Sequence, residues 1–254
     1  MSISTTSLIT ISNALVRSSY TLSLSEKRLL MYAVSLLDKR ATEPQMISIT
    51  PKEYSAFFSL HEKGVQRTLK SAVENLWTRT LVIEERKYRW IITSGYKDGL
   101  VELEFHPGLI PQLVQLQNQF TQYFLHRAAD FKLMYTWRIF ELIMQFKRTG
   151  MLKIELDEFK EILSIPTSYN RDFGLIRSKV IEPSINEIRE KDGLKVTWKP
   201  IKKGRCVVSL EFKFPAEPQH EPLVLDKSYI DKHARPGESY EQARERLSGS
   251  VGNQ

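Results

Sequence analysis

The chain has 254 residues, 41% hydrophobic and 26% charged, which suits a globular protein of one large or two ordinary domains with real cores. Its 37 Lys/Arg against 30 Asp/Glu give a formal +7 and a pI near 9.3, a balance that favours a polyanionic partner. A single cysteine, Cys206, excludes an internal disulfide framework. No apolar run approaches the roughly 18 residues of a membrane span, and MSISTTSLITISN lacks the regions of a signal peptide. A cytoplasmic protein with no membrane contact is expected.

Leucines fall at 8, 15, 22, 29 and 36, a heptad series that invites a zipper. The residues between argue otherwise. Ser18-Ser19-Tyr20-Thr21 are poor helix formers, and Ser23-Leu-Ser-Glu26 reads as a capping box. An extended segment and then a helix over 25–39 are expected, burying Leu29, Leu30, Ala33, Leu36 and Leu37. A short strand at 46–49 follows. Thr50-Pro51 then opens a helix over 51–59, and a longer one spans 61–77 with Val65, Leu69, Val73 and Leu76 inward and Gln66, Arg67 and Lys70 outward. Strands at 80–84, 88–94 and 100–105 come next, with turns at Glu85-Arg86-Lys87 and Gly95-Tyr-Lys-Asp-Gly99, and a helix over about 109–117.

The second half repeats this order. ISITPKEYSAFFSL (47–60) lies over LKIELDEFKEILSI (152–165) at an offset of 105, and YTLS (20–23) has a counterpart in YFLH (123–126). The long helices match at an offset of 112, with Leu69/Ile181, Val73/Ile185 and Leu76/Ile188 inward and Arg67/Lys179 outward. The second copy ends in a helix with Arg177 and Lys179, a strand over 194–198, a basic turn KPIKKGR (199–205) and a strand over 207–214. Helix, strand, basic turn and strand form the ending of a winged-helix domain. From Arg177 to Arg205 there are nine Lys/Arg and four Asp/Glu.

The expected class is therefore α+β: two tandem winged-helix domains related by an internal repeat, plus a polar C-terminal tail. The boundaries read as 1–120, 121–215 and 216–254. With 32 Lys/Arg against 23 Asp/Glu, the first 215 residues carry +9, while the tail carries −2 and is interrupted by Pro218, Pro222 and Pro236.

Catalytic signatures are missing. The five histidines show no metal-ligand spacing, and no GxxxxGK[ST] or GxSxG is present. No catalytic residue, metal or cofactor is expected, and the chain does not read as an enzyme. A winged helix instead needs long polar side chains on a helix that enters the major groove, and cations on a hairpin that reaches phosphate. In the second domain Arg171, Arg177 and Lys179 fit the first task, and Lys202, Lys203 and Arg205 the second, with Gly204 allowing a tight turn. Arg177 falls within about 40° of the Ile181/Ile185/Ile188 stripe unless Pro183 resets the helix phase. In the first domain Gln66, Arg67 and Lys70 hold the equivalent helix, and Arg86 and Lys87 a weaker wing beside Glu84 and Glu85. Charge on any one exposed helix face is often plain solvation. Four cations within seven residues of one turn are harder to explain without an anion.

NALVRSSYTLSLSEKRLLMYAV, HPGLIPQLVQLQNQFTQYFL, YTWRIFELIMQFKRTGMLKIELDEFKEIL, SYNRDFGLIRSKVIEPSINEI and KKGRCVVSLEF occur in that order over roughly residues 10–214. Together they resemble the replication initiators of iteron-containing bacterial plasmids, the RepE/RepA type. The resemblance implies monomers that bind directly repeated origin DNA. It also implies a homodimer, formed largely through the N-terminal domain, that binds an inverted repeat and represses its own gene. Host initiator, replicative helicase and chaperones are the partners it implies, in the bacterial cytoplasm. A tandem winged-helix repressor without a replication role is the alternative.

Overall fold

The computed structural model describes residues 7–38, 43–114, 119–169 and 172–217, with Tyr240 and Gln242. One compact unit runs to Ala216. Strand β1 (Leu8–Ser12) runs into helix α1 (Asn13–Arg17), whose first turn is capped by the Ser12 hydroxyl accepting from the Leu15 N–H. An extended link carries Tyr20 to helix α2 (Leu24–Leu36), where Ser23 and Glu26 form a capping box. The leucine heptad is thus split among β1, α1, the link and α2, and no zipper helix runs through it.

Strand β2 (Met46–Ile49), helix α3 (Pro51–Phe57) and helix α4 (Glu62–Leu76) follow, then β3 (Thr80–Ile83), β4 (Arg86–Arg89), β5 (Ile91–Lys97), β6 (Leu100–Phe105) and the short α5 (Ile110–Leu113). The second half comprises β7 (Phe120–Phe124), α6 (His126–Ala129), α7 (Met134–Met144), β8 (Met151–Glu155) and α8 (Leu156–Ile162). It continues with α9 (Phe173–Ile176), a π-helical turn (Arg177–Ile181), α10 (Glu182–Lys191), β9 (Thr197–Lys203) and β10 (Cys206–Lys213).

The repeat is visible in the sheets. Strands pair antiparallel in the order β2-β6-β5 in one half and β8-β10-β9 in the other, so equivalent strands hold equivalent places. It extends to single backbone angles. Ser59 and Ser164, 105 residues apart, both take a left-handed φ, of 50° and 49°. Beside them Leu60 N–H donates to the Ser55 carbonyl and Ile165 N–H to the Lys160 carbonyl, both at 2.9 Å. Leu69/Ile181, Val73/Ile185 and Leu76/Ile188 are all buried.

Strands β1 and β7 pair antiparallel, Leu8 opposite Phe124, which ties the start of the chain to the start of the second half. One apolar cluster runs from Ile9 to Phe214. At its centre lie charges that hydrophobic patterning does not reveal. Lys27 of α2 and Glu141 of α7 are fully buried and paired at 2.8 Å. Tyr20 accepts from the Lys27 ammonium at 3.0 Å, and Tyr123 donates to Glu141 at 2.9 Å. Arg138 lies over the Tyr20 ring at 3.9 Å and donates to the carbonyls of Ser18 and Ile162.

Three sequence expectations need correction. The strand expected at 88–94 is two strands, broken at the fully buried Trp90. Helix α4 is interrupted at Lys63 and Gly64, where Gly64 adopts φ 96°, so its regular part begins at Val65. The strand expected at 194–198 instead spans 197–203, and the basic segment is mostly strand rather than turn. Pro200 is tolerated there because β9 is a sheet edge, where a missing N–H faces solvent.

Candidate nucleic-acid interface

In the second half the outward helix is built from α9, the π-helical turn and α10. Asp172 caps it, accepting from the Gly174 N–H at 2.7 Å. Pro183 has no N–H to offer the Lys179 carbonyl four residues back, and the helix widens just before it. The Glu182 N–H bonds the Arg177 carbonyl, five residues away. Val180 and Ile181 stay in the core while Arg177, Ser178 and Lys179 are all exposed. The phase objection to Arg177 is thereby removed. Its side chain is 59% exposed and its Nε donates to Glu182 at 2.7 Å. Arg171 lies outside the described residues.

The wing is the β9–β10 hairpin. Lys203 stands opposite Cys206, and the two-residue turn between them starts at Gly204 with φ 61°, the left-handed angle that a type II′ hairpin turn requires. Lys202, Lys203 and Arg205 are exposed, and so is Lys179. None of the four has an ion-pair partner among the described residues. The other wing cations are committed. Lys199 pairs with Glu211 directly across the hairpin at 3.1 Å, and Lys213 approaches the same oxygen at 3.6 Å. The hydrogen bond and charge of Lys199, with help from Lys213, hold the Glu211 carboxyl below its ordinary range. Between helix and wing lies an open cleft of about 550 Å³, walled by Phe173, Arg177, Glu182, Trp198, Lys202 and Arg205.

In the first half Gln66, Arg67 and Lys70 are exposed on the first turns of the regular part of α4. Gln66 donates its side-chain amide N–H to the Tyr96 hydroxyl on β5. Arg86 and Lys87 do not form the equivalent wing. They sit on β4 in a two-stranded β3–β4 hairpin that has no counterpart in the second half. The strands equivalent to β9 and β10 are β5 and β6, which turn at Asp98-Gly99 with φ 52° and 79°, a type I′ pair. That wing carries Lys97 as its cation. The Asp-Gly pair between alternating strands was the signal for it. Among the described residues no group of three or more His, Cys, Asp or Glu is placed to hold a metal ion, and no helix is long and apolar enough to cross a membrane.

Two family profiles match this arrangement: Initiator Replication protein, WH1, over residues 8–144, and Initiator Rep protein, WH2, over 155–214. The chain belongs to the initiator replication protein family. It is 26% identical over 222 residues to a replication initiation protein of Escherichia coli, covering 82% of this chain and 69% of that one. A probable replication protein of Bifidobacterium longum (strain NCC 2705) is 28% identical over 114 residues, 45% of this chain and 37% of that one. Among solved structures, the Pi initiator protein in complex with iteron DNA superposes with a TM-score of 0.71 at 20% identity, covering 85% of this chain and all of the other. The initiator fold is thus two winged helices in tandem. In this initiator Lys179, Lys202, Lys203 and Arg205 have no ion-pair partner among the described residues, whereas Arg177 is held by Glu182 and Gln66 by Tyr96.

Proposed function

We propose that this initiator binds directly repeated origin DNA as a monomer, laying both winged helices on one face of the duplex about one helical turn apart. The observation that carries the reading is the set of exposed cations on the second helix and its wing, Lys179, Lys202, Lys203 and Arg205, which have no ion-pair partner among the described residues. Cations so close together repel one another unless an anion meets them, and duplex phosphates supply a continuous row of anions. The Pi relative, solved on iteron DNA, supports the same choice of partner.

Residues 121–215 supply the main grip, with Arg177 beside Lys179 on the helix and Arg171 as a further DNA contact. Residues 1–120 add contacts through Gln66, Arg67 and Lys70, with Arg86 and Lys87 on the extra hairpin. The same N-terminal half forms a homodimer that binds an inverted repeat and represses the initiator's own gene. Host initiator, helicase and chaperones meet the DNA-bound monomer. The origin opens through binding energy and recruitment, without a catalytic step.

Footprinting on the DNA that flanks the gene tests the reading, with monomer and dimer run separately. Protection of tandem direct repeats beside an AT-rich tract is the expected result for monomer. Protection of a lone inverted repeat and nothing else identifies a repressor without a replication role. Affinity should also fall steeply with salt, with a log–log slope of roughly −5 to −9 for 6–10 phosphate contacts.

A further inference from the structure

Gln66 is the one long amide on the exposed face at the start of the regular part of α4, and it is not free. Its side-chain nitrogen donates to the hydroxyl of Tyr96. Tyr96 comes from β5, is half-buried against the core, and stands opposite Val101 in the sheet. An exposed helix residue is therefore tied to a rigid strand on the same domain.

The chemistry of the carboxamide makes this tie informative. A glutamine amide has two N–H donors and one carbonyl acceptor. Committing one N–H to Tyr96 leaves one N–H and the carbonyl oxygen. Adenine needs that pair in the major groove, where N7 accepts and the N6 amino group donates. The contact also removes much of the rotamer freedom that a long side chain loses on binding.

We propose that Tyr96 is a positioning residue for sequence recognition, holding the Gln66 amide in the orientation that reads an adenine. This deepens the reading that α4 enters the major groove and rests on it. Tyr96 makes no base contact in this scheme; it acts through Gln66. The wing strand of the first domain thus sets what its helix reads.

The test uses the full-length protein and a duplex carrying one repeat from the footprint, with each adenine replaced in turn by 7-deazaadenine, which lacks the N7 acceptor. Wild type should lose about tenfold in affinity at one adenine. Gln66→Ala should abolish the penalty at that position and leave the others unchanged. Tyr96→Phe should cut it to about threefold, with affinity for unrelated duplex and thermal stability unchanged, a pattern that a merely structural tyrosine does not give. If Gln66→Ala keeps the wild-type profile, Gln66 reads no adenine and the reading of α4 through Gln66 fails with the proposal. If Gln66→Ala loses the penalty while Tyr96→Phe keeps it in full, α4 reads bases but Tyr96 positions nothing, and the proposal alone is overturned.

Discussion

Lys27 and Glu141 meet at 2.8 Å with neither side chain more than 1% exposed, and they come from repeat-related helices. Each has a tyrosine at its side, Tyr20 on Lys27 and Tyr123 on Glu141, and these too are repeat-related. The Trp137 indole N–H donates to Tyr123 in turn. The two copies of the α/β unit are thus joined through one buried, hydrogen-bonded ion pair, with Arg138 3.9 Å from the same carboxylate.

Breaking one partner of such a pair leaves an uncompensated buried charge, at about 3–5 kcal/mol. Glu141 faces two cations and Lys27 only one anion, so Glu141→Gln should cost more than Lys27→Met. Urea unfolding followed by fluorescence and circular dichroism measures both. The two probes should share one midpoint in wild type, because the pair ties both halves to one transition.

Replacing Lys202, Lys203 and Arg205 together with alanine should weaken binding to all duplexes alike and lower the salt slope by about 3, roughly one for each phosphate left without its cation. Lys179→Ala should instead change the order of preference among repeats, at about 1–3 kcal/mol for the base interaction it removes. Competition binding over a panel of single-base variants separates the two patterns.

The β3–β4 turn places two glutamates, Glu84 and Glu85, at φ 49° and 66°. That region costs a side chain with a Cβ about 1–2 kcal/mol, and the Asn-Gly pair tolerates it best. Glu84→Asn with Glu85→Gly should therefore stabilise the fold by about 1 kcal/mol. A raised denaturation midpoint with unchanged m-value is the expected signature.

Three tyrosines make the fold sensitive to alkali. Burial, with some help from Glu53, pushes Tyr32 up to about 12. Burial raises Tyr54 further, and burial together with Glu141 holds Tyr123 well above the ordinary range. In the unfolded chain each ionises near pH 10, by the usual tyrosine value. The folded state keeps its protons longer, so this stabilisation is complete below about pH 10 and is lost as pH rises through the folded values. Tyrosinate absorbance should show these three ionising together with unfolding. Tyr32→Phe should move the alkaline midpoint upward.

Much of this was legible in the sequence. The 105-residue repeat is carried by apolar periodicity, which survives folding because the same positions are buried in both copies, as with Tyr54 and Phe159. The capping box at Ser23 and Glu26 is local chemistry and was equally readable. Less legible were features set by distant partners. Lys27 and Glu141 are 114 positions apart and look like ordinary surface charges on helices. The wing of the first half was sought at Arg86 and Lys87 because charge was the guide, whereas sheet order places it at the Asp98-Gly99 turn. Arg177 turned on a single proline, whose effect on helix phase a fixed 100° step does not capture.

The π-helical turn before Pro183 has a consequence for how such a protein diversifies. Behind it, Ile185 and Ile188 anchor the helix in the core. Ahead of it, the chain has been rotated by one residue's worth of helix without disturbing that anchor. Substitution at the exposed Arg177, Ser178 and Lys179 can therefore change which side chains face outward while Ile176 and Val180 keep the interior packing as it is. If the proposed interface holds, the positions that meet DNA and those that hold the fold are separate residues, so the first set can change without unfolding the second.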